Sequence, residues 1–264
     1  MTLTTLPVVR DVPTATAAQM AEADRVASTE LGIPLEVLME NAARQVAAAT
    51  RAFLGGVAGR RIAAVAGMGN NGGDALGALR HLRAWGAEVE AYVAGPRERL
   101  RPLAALQYDI LARLGVTLHD SCTIGDRDLI QRLKPMDGLL DGLLGYSARG
   151  APRGEIARLV QAMYAGGRPG QIVSVDLPSG LQPDTGLNMS GTPMGTVPAA
   201  LTVTLALPKP GLYRGEARRY VGELLLADIG IPARAFERLV IDARSLFTHG
   251  DLLRIAAETH TLPR

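Results

Sequence analysis

Residues 67–74 read Gly67-Met68-Gly69-Asn70-Asn71-Gly72-Gly73-Asp74. The first six positions satisfy G-x-G-x-x-G, with an apolar, strand-like run at 62–66 before them and a helical stretch at 73–85 after them. Glycines in such a loop permit a tight turn and close backbone approach, and the free N–H groups of a helix start point toward an anion. A phosphate site is the natural inference, weighed against the simpler possibility that the glycines only turn the chain between strand and helix. A redox dehydrogenase would place an acidic residue at the end of the second strand, on the ribose hydroxyls. That end reads Val93-Ala94-Gly95-Pro96-Arg97, and Glu88 and Glu90 lie at the strand's beginning. Two asparagines and Asp74 also offer more side-chain oxygen than a pyrophosphate loop requires.

Ligands of open parallel sheets bind outside the carboxyl ends of the strands, which gives weight to two further positions. Asp141 follows the apolar residues Gly138-Leu139-Leu140 and precedes a second glycine-rich stretch, 142–150; Asp176 follows Ile172-Val173-Ser174-Val175 and runs into Leu177-Pro178-Ser179-Gly180. Each could be an ordinary solvated or helix-capping aspartate. Together, Asn71, Asp141 and Ser179 offer hard oxygen ligands without His or Cys, a set suited to an alkali or alkaline-earth cation. Asp176, beside a proline-fixed turn, is the better candidate for proton transfer.

The elements that must position these residues follow from periodicity. Met20, Ala23, Val26, Ala27 and Leu31 recur at helical spacing over 16–31, and Leu35, Leu38, Met39, Ala42, Ala43, Val46 and Ala47 form a second stripe ended by Gly55-Gly56. Strands are expected at 62–66, 89–94, 138–144 and 172–176, with helices at 73–85, 103–114 and 155–164 between them. Further strands at 201–207 and 221–227 have no obvious helix between them, so an antiparallel or mixed edge is expected, and 183–198 reads as one long loop. The expected fold is a Rossmann-like three-layer α/β/α sandwich with a mostly parallel sheet and two N-terminal helices, one domain over 1–264 with its core at about 15–240.

Composition narrows the function classes. A chain of 264 residues, 47% hydrophobic, can bury one large core. Its 28 basic and 26 acidic side chains are dispersed, which gives nucleic-acid binding no support. The lone Cys122 rules out an internal disulfide and points to a reducing compartment. Neither an export signal nor an apolar run of membrane-spanning length is visible, so a cytoplasmic protein without membrane contact is expected. His81 reads as a local packing or capping residue, and the Arg97, Arg99 and Arg101 cluster as a solvated face, although it sits where an adenosine phosphate would lie. Lys209, between two prolines, could reach a phosphate or solubilise a strand end. Glu40 and Asn41, in an apolar helix, suit an internal hydrogen bond, a dimer contact or a site role.

Taken in order, several segments resemble the NAD(P)H-hydrate epimerases: Met20 and Asp24, Gly32-Ile33-Pro34, Leu38-Met39-Glu40-Asn41-Ala42-Ala43, Asn70-Asn71-Gly72-Gly73-Asp74, Arg80-His81-Leu82, Asp141-Gly142-Leu143-Leu144-Gly145, Val175-Asp176-Leu177-Pro178-Ser179-Gly180, Pro208-Lys209-Pro210-Gly211-Leu212 and Ala227-Asp228-Ile229-Gly230-Ile231-Pro232. The resemblance implies a Rossmann-like homodimer that interconverts the R and S forms of hydrated NADH or NADPH at C6 of the nicotinamide ring. A separate ATP- or ADP-dependent dehydratase would then act on one epimer. Carried over by position, Asn70, Asn71, Gly72, Gly73, Asp74, Gly145, Tyr146, Ser147, Ala148, Arg149, Gly150, Ala151 and Asp176 would contact substrate. Asn71, Asp141 and Ser179 would hold one potassium ion per subunit. Asp176 is the expected acid-base group. Two positions depart from the pattern, Ala200 where Asp is common and Ala75 where Gly is usual. The competing expectations are a non-catalytic nucleotide-binding or scaffold module on the same fold, and a redox Rossmann enzyme.

Overall fold

The computed structural model describes residues 2–168 and 170–256. In chain order the strands are β1 (Val8–Val9), β2 (Arg61–Ala66), β3 (Glu88–Val93), β4 (Thr117–Asp120), β5 (Gly138–Gly142), β6 (Ile172–Val175), β7 (Leu201–Leu205), β8 (Glu223–Ala227) and β9 (Leu252–Ile255). The helices are α1 (Ala17–Arg25), α2 (Leu35–Phe53), α3 (Asn70–Ala84), α4 (Pro102–Arg113), α5 (Asp126–Leu133) and α6 (Gly154–Gly166). The strands form one sheet ordered β1-β9-β8-β7-β6-β5-β2-β3-β4, parallel throughout except for β8 against β9.

Alternation along β2 explains the three layers. Successive side chains of a strand point to opposite faces. Ile62, Ala64 and Ala66 accordingly join a core with Val46 of α2, Leu76 and Leu79 of α3 and Leu111 of α4. Ala63 and Val65 join a second core with Leu129 and Leu133 of α5 and Leu159, Val160 and Met163 of α6. The chain runs outward in one direction through β2, β3 and β4 and in the other through β5, β6 and β7. Between β2 and β5 the crossover helices diverge, which opens a crevice at the carboxyl ends of those two strands.

The N-terminal pair is as expected, with a refinement. Thr16 caps α1 by accepting from Gln19 N at 3.3 Å while the Gln19 side chain accepts from Thr16 N at 2.9 Å. The helix then widens into a π-helical turn over Val26–Glu30 before Gly32, at φ 71°, reverses the chain into α2.

Other expectations need correction. The helix after the glycine loop begins at Asn70, not Gly73, so both asparagines belong to its first turn. Strand β7 pairs with β8 in parallel, the crossover being made by short 3-10 turns at Pro210–Tyr213 and Ala217–Arg219 rather than by a helix. The antiparallel edge is supplied instead by β9. Four elements have no counterpart in the sequence reading: β1, β4, α5 and β9. Within 183–198 the chain is largely irregular, with a 3-10 turn at Pro193–Gly195.

Candidate active site

The glycines of the first loop are demanded mainly by backbone packing. A Cβ on Gly67 would lie 2.1 Å from Leu143 O, and one on Gly72 would lie 2.0 Å from Gly67 O. A Cβ on Gly142, at the end of β5, would meet the Ala75 methyl at 2.4 Å. These contacts press the first turn of α3 onto the ends of β2 and β5, while Gly73 backs onto Met39. Asn70 and Asn71 are left facing a cleft of about 520 Å³. Their N–H groups, with that of Gly72, are first-turn donors without an intrahelical acceptor. The cleft wall also includes Asp24, Asp74, Tyr146, Asp176 and Lys209 at one end, and Arg99 and Arg101 at the other.

Behind Asn71 lies a buried carboxylate held by neutral donors. Asp141 has no exposed surface. Its Oδ1 accepts from Ser179 Oγ at 2.6 Å and Leu143 N at 3.3 Å. Its Oδ2 accepts from Ser174 Oγ at 2.7 Å and Ser179 N at 2.9 Å. Ser174 stands opposite Asp141 in the parallel register, which brings its hydroxyl within reach. Burial pushes the Asp141 pKa up, and the hydrogen bonds from Ser179 and Ser174 oppose the rise. Among the described residues no cationic side chain reaches this carboxylate. Ser179 Oγ also accepts from Leu144 N at 2.9 Å, and the next residue, Gly145, packs against the Asn71 side chain. The buried Asn71 Nδ2 has no hydrogen-bond partner. An orphaned amide beside a buried, uncompensated carboxylate fits a cation with hard oxygen preference, because exchanging the two ends of the amide would turn its oxygen toward that ion. Among the described residues no group of three or more His, Cys, Asp or Glu is placed to hold a metal ion, so a cation here would rest on amide and hydroxyl oxygens beside the single Asp141 carboxylate.

The acidic end of the cleft is built around Asp176. Its φ of 69° places an aspartate in the left-handed region, which aspartate tolerates better than most residues. Its Oδ1 forms an ion pair with Lys209 Nζ and its Oδ2 accepts from Tyr146 N at 3.1 Å. Lys209 has no exposed surface and Asp176 is 2% exposed, so both charges are withdrawn from water. Lys209 Nζ also donates to Leu205 O at 3.1 Å and lies 5.6 Å from the centre of the Tyr146 ring. The Tyr146 hydroxyl in turn donates to Asp24 on α1. Burial raises the Asp24 pKa, and the bond from Tyr146 opposes that rise. Asp74 is buried and no hydrogen bond or ion pair reaches its carboxyl among the described residues. Burial, reinforced by the nearby Asp176 and Asp24 charges, holds its pKa well above the usual carboxylate range. The cleft therefore sets an ion-paired carboxylate beside one pushed toward its neutral acid form.

Comparison with known proteins identifies the family. Residues 35–211 match the family model described as YjeF-related protein N-terminus. An NAD(P)H-hydrate epimerase from Dehalogenimonas lykanthroporepellens is 39% identical over 242 residues, covering 90% of this chain and 91% of the relative. This chain belongs to the NAD(P)H-hydrate epimerase family. A second epimerase of the family, from Rhodopirellula baltica, is 32% identical over 224 residues, covering 85% of this chain and 87% of that protein. A bifunctional NAD(P)H-hydrate repair enzyme from Moorella thermoacetica is 40% identical over 223 residues, which span 83% of this chain but 41% of that longer protein. The crystal structure of the yeast protein YNL200c shares the fold, with a TM-score of 0.74 at 23% identity over 92% of this chain and all of that one.

The residues expected to contact substrate are placed unevenly. Asn70, Asn71, Asp74, Gly145, Tyr146, Ser147, Ala148 and Asp176 line the cleft. Gly72 and Gly73 lie behind it, against Gly67 and Met39. Arg149, Gly150 and Ala151 lie outside the cleft wall, and the first two are exposed. Ala75 is fully buried over Gly142, so its methyl points into the core and not toward a ligand. Ala200 sits just before β7, at the end of the sheet away from the cleft, so the common Asp there would not be a cleft contact.

Among the residues with duller readings, His81 and Arg80 both bind Glu40, His81 Nε2 at 3.0 Å from its carboxylate, and latch α3 to α2. Burial lowers the His81 pKa, with Arg80 adding to the effect. Asn41 donates to Ile229 O at 3.0 Å, an internal bond. Cys122 is a free, exposed thiol. Of the two expectations for Lys209, the solvated strand end is excluded, since it is the fully buried partner of Asp176. Asp24 and Ser174 were missed as site-building residues. The one available signal was a polar side chain within an apolar helical stripe or strand.

Proposed function

We propose that this protein epimerises hydrated NADH and NADPH at C6 of the nicotinamide ring, as a repair enzyme for damaged cofactor. The observation that supports this reading, beyond family membership, is that the cleft is lined both by Asp176, ion-paired with Lys209, and by Asp74, desolvated and unpartnered among the described residues. The C6 carbon carries both a hydroxyl and the ring nitrogen. Protonation of that hydroxyl by the Asp74 carboxylic acid lets the C–O bond break as the nitrogen lone pair closes an iminium, releasing water. Water then returns to the opposite face as the Asp176 carboxylate takes one of its protons, and transfer of a proton back to Asp74 completes the cycle. Ring opening at the same carbon would need the same acid and base. Tyr146, between the Asp24 bond and the backbone bond to Asp176, forms a fixed side of the site.

Asn71, Asp141 and Ser179 would hold a potassium ion, which supplies a fixed positive charge beside the substrate. We further propose a cytoplasmic homodimer. Its substrate is a small molecule, and a dehydratase, present within the bifunctional relatives, would consume one epimer. None of the described helices is long and apolar enough to cross a membrane.

The test is incubation of mixed R and S hydrates with this protein and an S-specific dehydratase. Complete consumption supports the epimerase. Consumption stopping at half indicates a non-catalytic binder, and hydride transfer seen spectrally indicates a redox enzyme. Asp176→Asn should lower the epimerisation rate by about 10²–10⁴-fold; a folded, substrate-binding variant of full activity would remove Asp176 from the mechanism.

A further inference from the structure

The end of the cleft away from Asp176 carries positive charge that the epimerisation chemistry does not use. The segment between β3 and α4 reads Gly95-Pro96-Arg97-Glu98-Arg99-Leu100-Arg101. Its three arginines are placed differently. Arg97 is tied down by Asp109, with Nε 2.9 Å from Oδ1, and does not line the cleft. Arg99 and Arg101 do line it, and among the described residues neither side chain has a hydrogen bond or a carboxylate partner. Glu98, the one acid of the segment, is absent from the cleft wall.

The backbone under the two guanidinium groups is held in place. Arg101 N donates to Met68 O at 2.9 Å, binding the segment to the glycine loop, and Arg99 N donates to Pro96 O at 3.0 Å. Leu100 is buried between them. Gly95 has φ 144°, and a Cβ there would come within 4.0 Å of Arg99 Nη1, so the guanidinium lies close above the end of β3. In a parallel sheet of this kind the end of the second strand of the nucleotide-binding unit lies under the adenosine ribose. An acid there takes the 2′-hydroxyl, whereas an arginine accommodates a 2′-phosphate. Here the acid is missing and two unpaired arginines stand in its place. From β6, where Asp176 lies, to β3 is three strand spacings, about 14 Å, which allows a dinucleotide to lie across β5 and β2 with its pyrophosphate over the first turn of α3.

We infer that Arg99 and Arg101 form a subsite for the 2′-phosphate of the adenosine ribose, so that this protein prefers the NADPH-derived hydrate to the NADH-derived one. The inference rests on the dinucleotide reading proposed above and adds its specificity. Arginine suits the role because its planar fork meets phosphate oxygens two at a time. Among the described residues no carboxylate of this segment lines the cleft to take the ribose hydroxyls of an unphosphorylated cofactor.

Equilibrium calorimetry with NADP+ and NAD+ on the whole protein tests the assignment without requiring turnover. NADP+ should bind at least about tenfold more tightly than NAD+, as expected for charge-assisted hydrogen bonds. The double variant Arg99→Ala/Arg101→Ala alters two exposed side chains and should keep the wild-type melting temperature. Its NADP+ affinity should fall to that for NAD+, with NAD+ unchanged. Equal wild-type affinities, no detectable NADP+ binding at millimolar concentration, or equal weakening of both ligands in the variant would each overturn the inference, the last by assigning the arginines to the shared pyrophosphate. A protein that discriminates in this way yet interconverts no hydrates would retain the subsite and lose the epimerase reading; the opposite outcome would do the reverse.

Discussion

Replacing Lys209 with methionine should reveal what its buried ion pair with Asp176 contributes to the fold. Lys209 is fully buried and its partner is 2% exposed, so the variant leaves a carboxylate in a dry site without its counter-charge. Breaking a buried pair from one side typically costs about 3–5 kcal/mol. Asp176 keeps two backbone donors, Tyr146 N at 3.1 Å and Leu205 N at 3.4 Å, which places the expected loss near the lower limit, about 3 kcal/mol. For a chain of this size each kcal/mol moves the melting temperature by about 2–4 °C, so Lys209→Met should melt about 6–12 °C below wild type. The double variant Lys209→Met/Asp176→Asn removes both charges, keeps a residue type that tolerates the left-handed backbone, and should recover much of that loss. Leu205 O loses its lysine donor in both backgrounds, so a double-mutant cycle cancels that cost and isolates the pair, with an expected coupling of about 2–3 kcal/mol. Urea titrations of the four proteins with a common slope provide the measurement. A shift below about 2 °C for Lys209→Met, or a coupling near zero, would refute the claim that this pair is a desolvated unit.

Three further outcomes follow from the same geometry. The raised pKa of Asp74 means that the folded state binds a proton more tightly than the unfolded one, so its contribution to stability is fully present below the unfolded pKa and is lost as pH rises through the folded value. Asp74→Asn should therefore gain stability relative to wild type as pH increases while losing epimerisation; a stability difference independent of pH would contradict this. Gly72→Ala would set a methyl 2.0 Å from Gly67 O, backbone against backbone, and should cost about 3 kcal/mol or more, whereas Gly69→Ala, with nothing within 4 Å of its added carbon, should stay within about 1 kcal/mol in the same denaturation assay. If potassium occupies the site formed by Asn71, Asp141 and Ser179, the melting temperature should be higher in KCl than in tetramethylammonium chloride, by about 5–10 °C at a hundredfold excess over the dissociation constant. Asn71→Ala should abolish that difference, and equal melting in the two salts for the wild type would contradict the assignment.

Much of this site could be read from local pattern, because its carboxylates stand where apolar runs end. Asp141 and Asp176 were visible for that reason, and the sheet end on which they lie followed from the alternation of strands and helices. What escaped were relations that depend on distance in the fold. Lys209 lies 33 residues from Asp176, and only the parallel pairing of β6 with β7 brings it under that carboxylate. Asp24 reaches Tyr146 from a helix 122 residues away. The short strands β1 and β9 pair with each other across nearly the whole chain, and no local periodicity marks a two-residue strand. The helix start moved to Asn70 because Gly69 adopts an extended N-terminal boundary conformation and Asn70–Gly72 turn within α3, which glycine-rich composition alone conceals. The loop's glycines were read as approaching a ligand, yet Gly67 and Gly72 are needed chiefly to let one backbone pass another.

The most direct test of the central claim is the interconversion itself. A purified R-epimer of hydrated NADPH, incubated with this protein alone and followed by chromatography, should yield the S-epimer until both reach equilibrium, at a rate proportional to protein concentration and lost in Asp176→Asn. An S-epimer appearing no faster than in buffer, with substrate binding intact, would show that this cleft holds the damaged cofactor without acting on it.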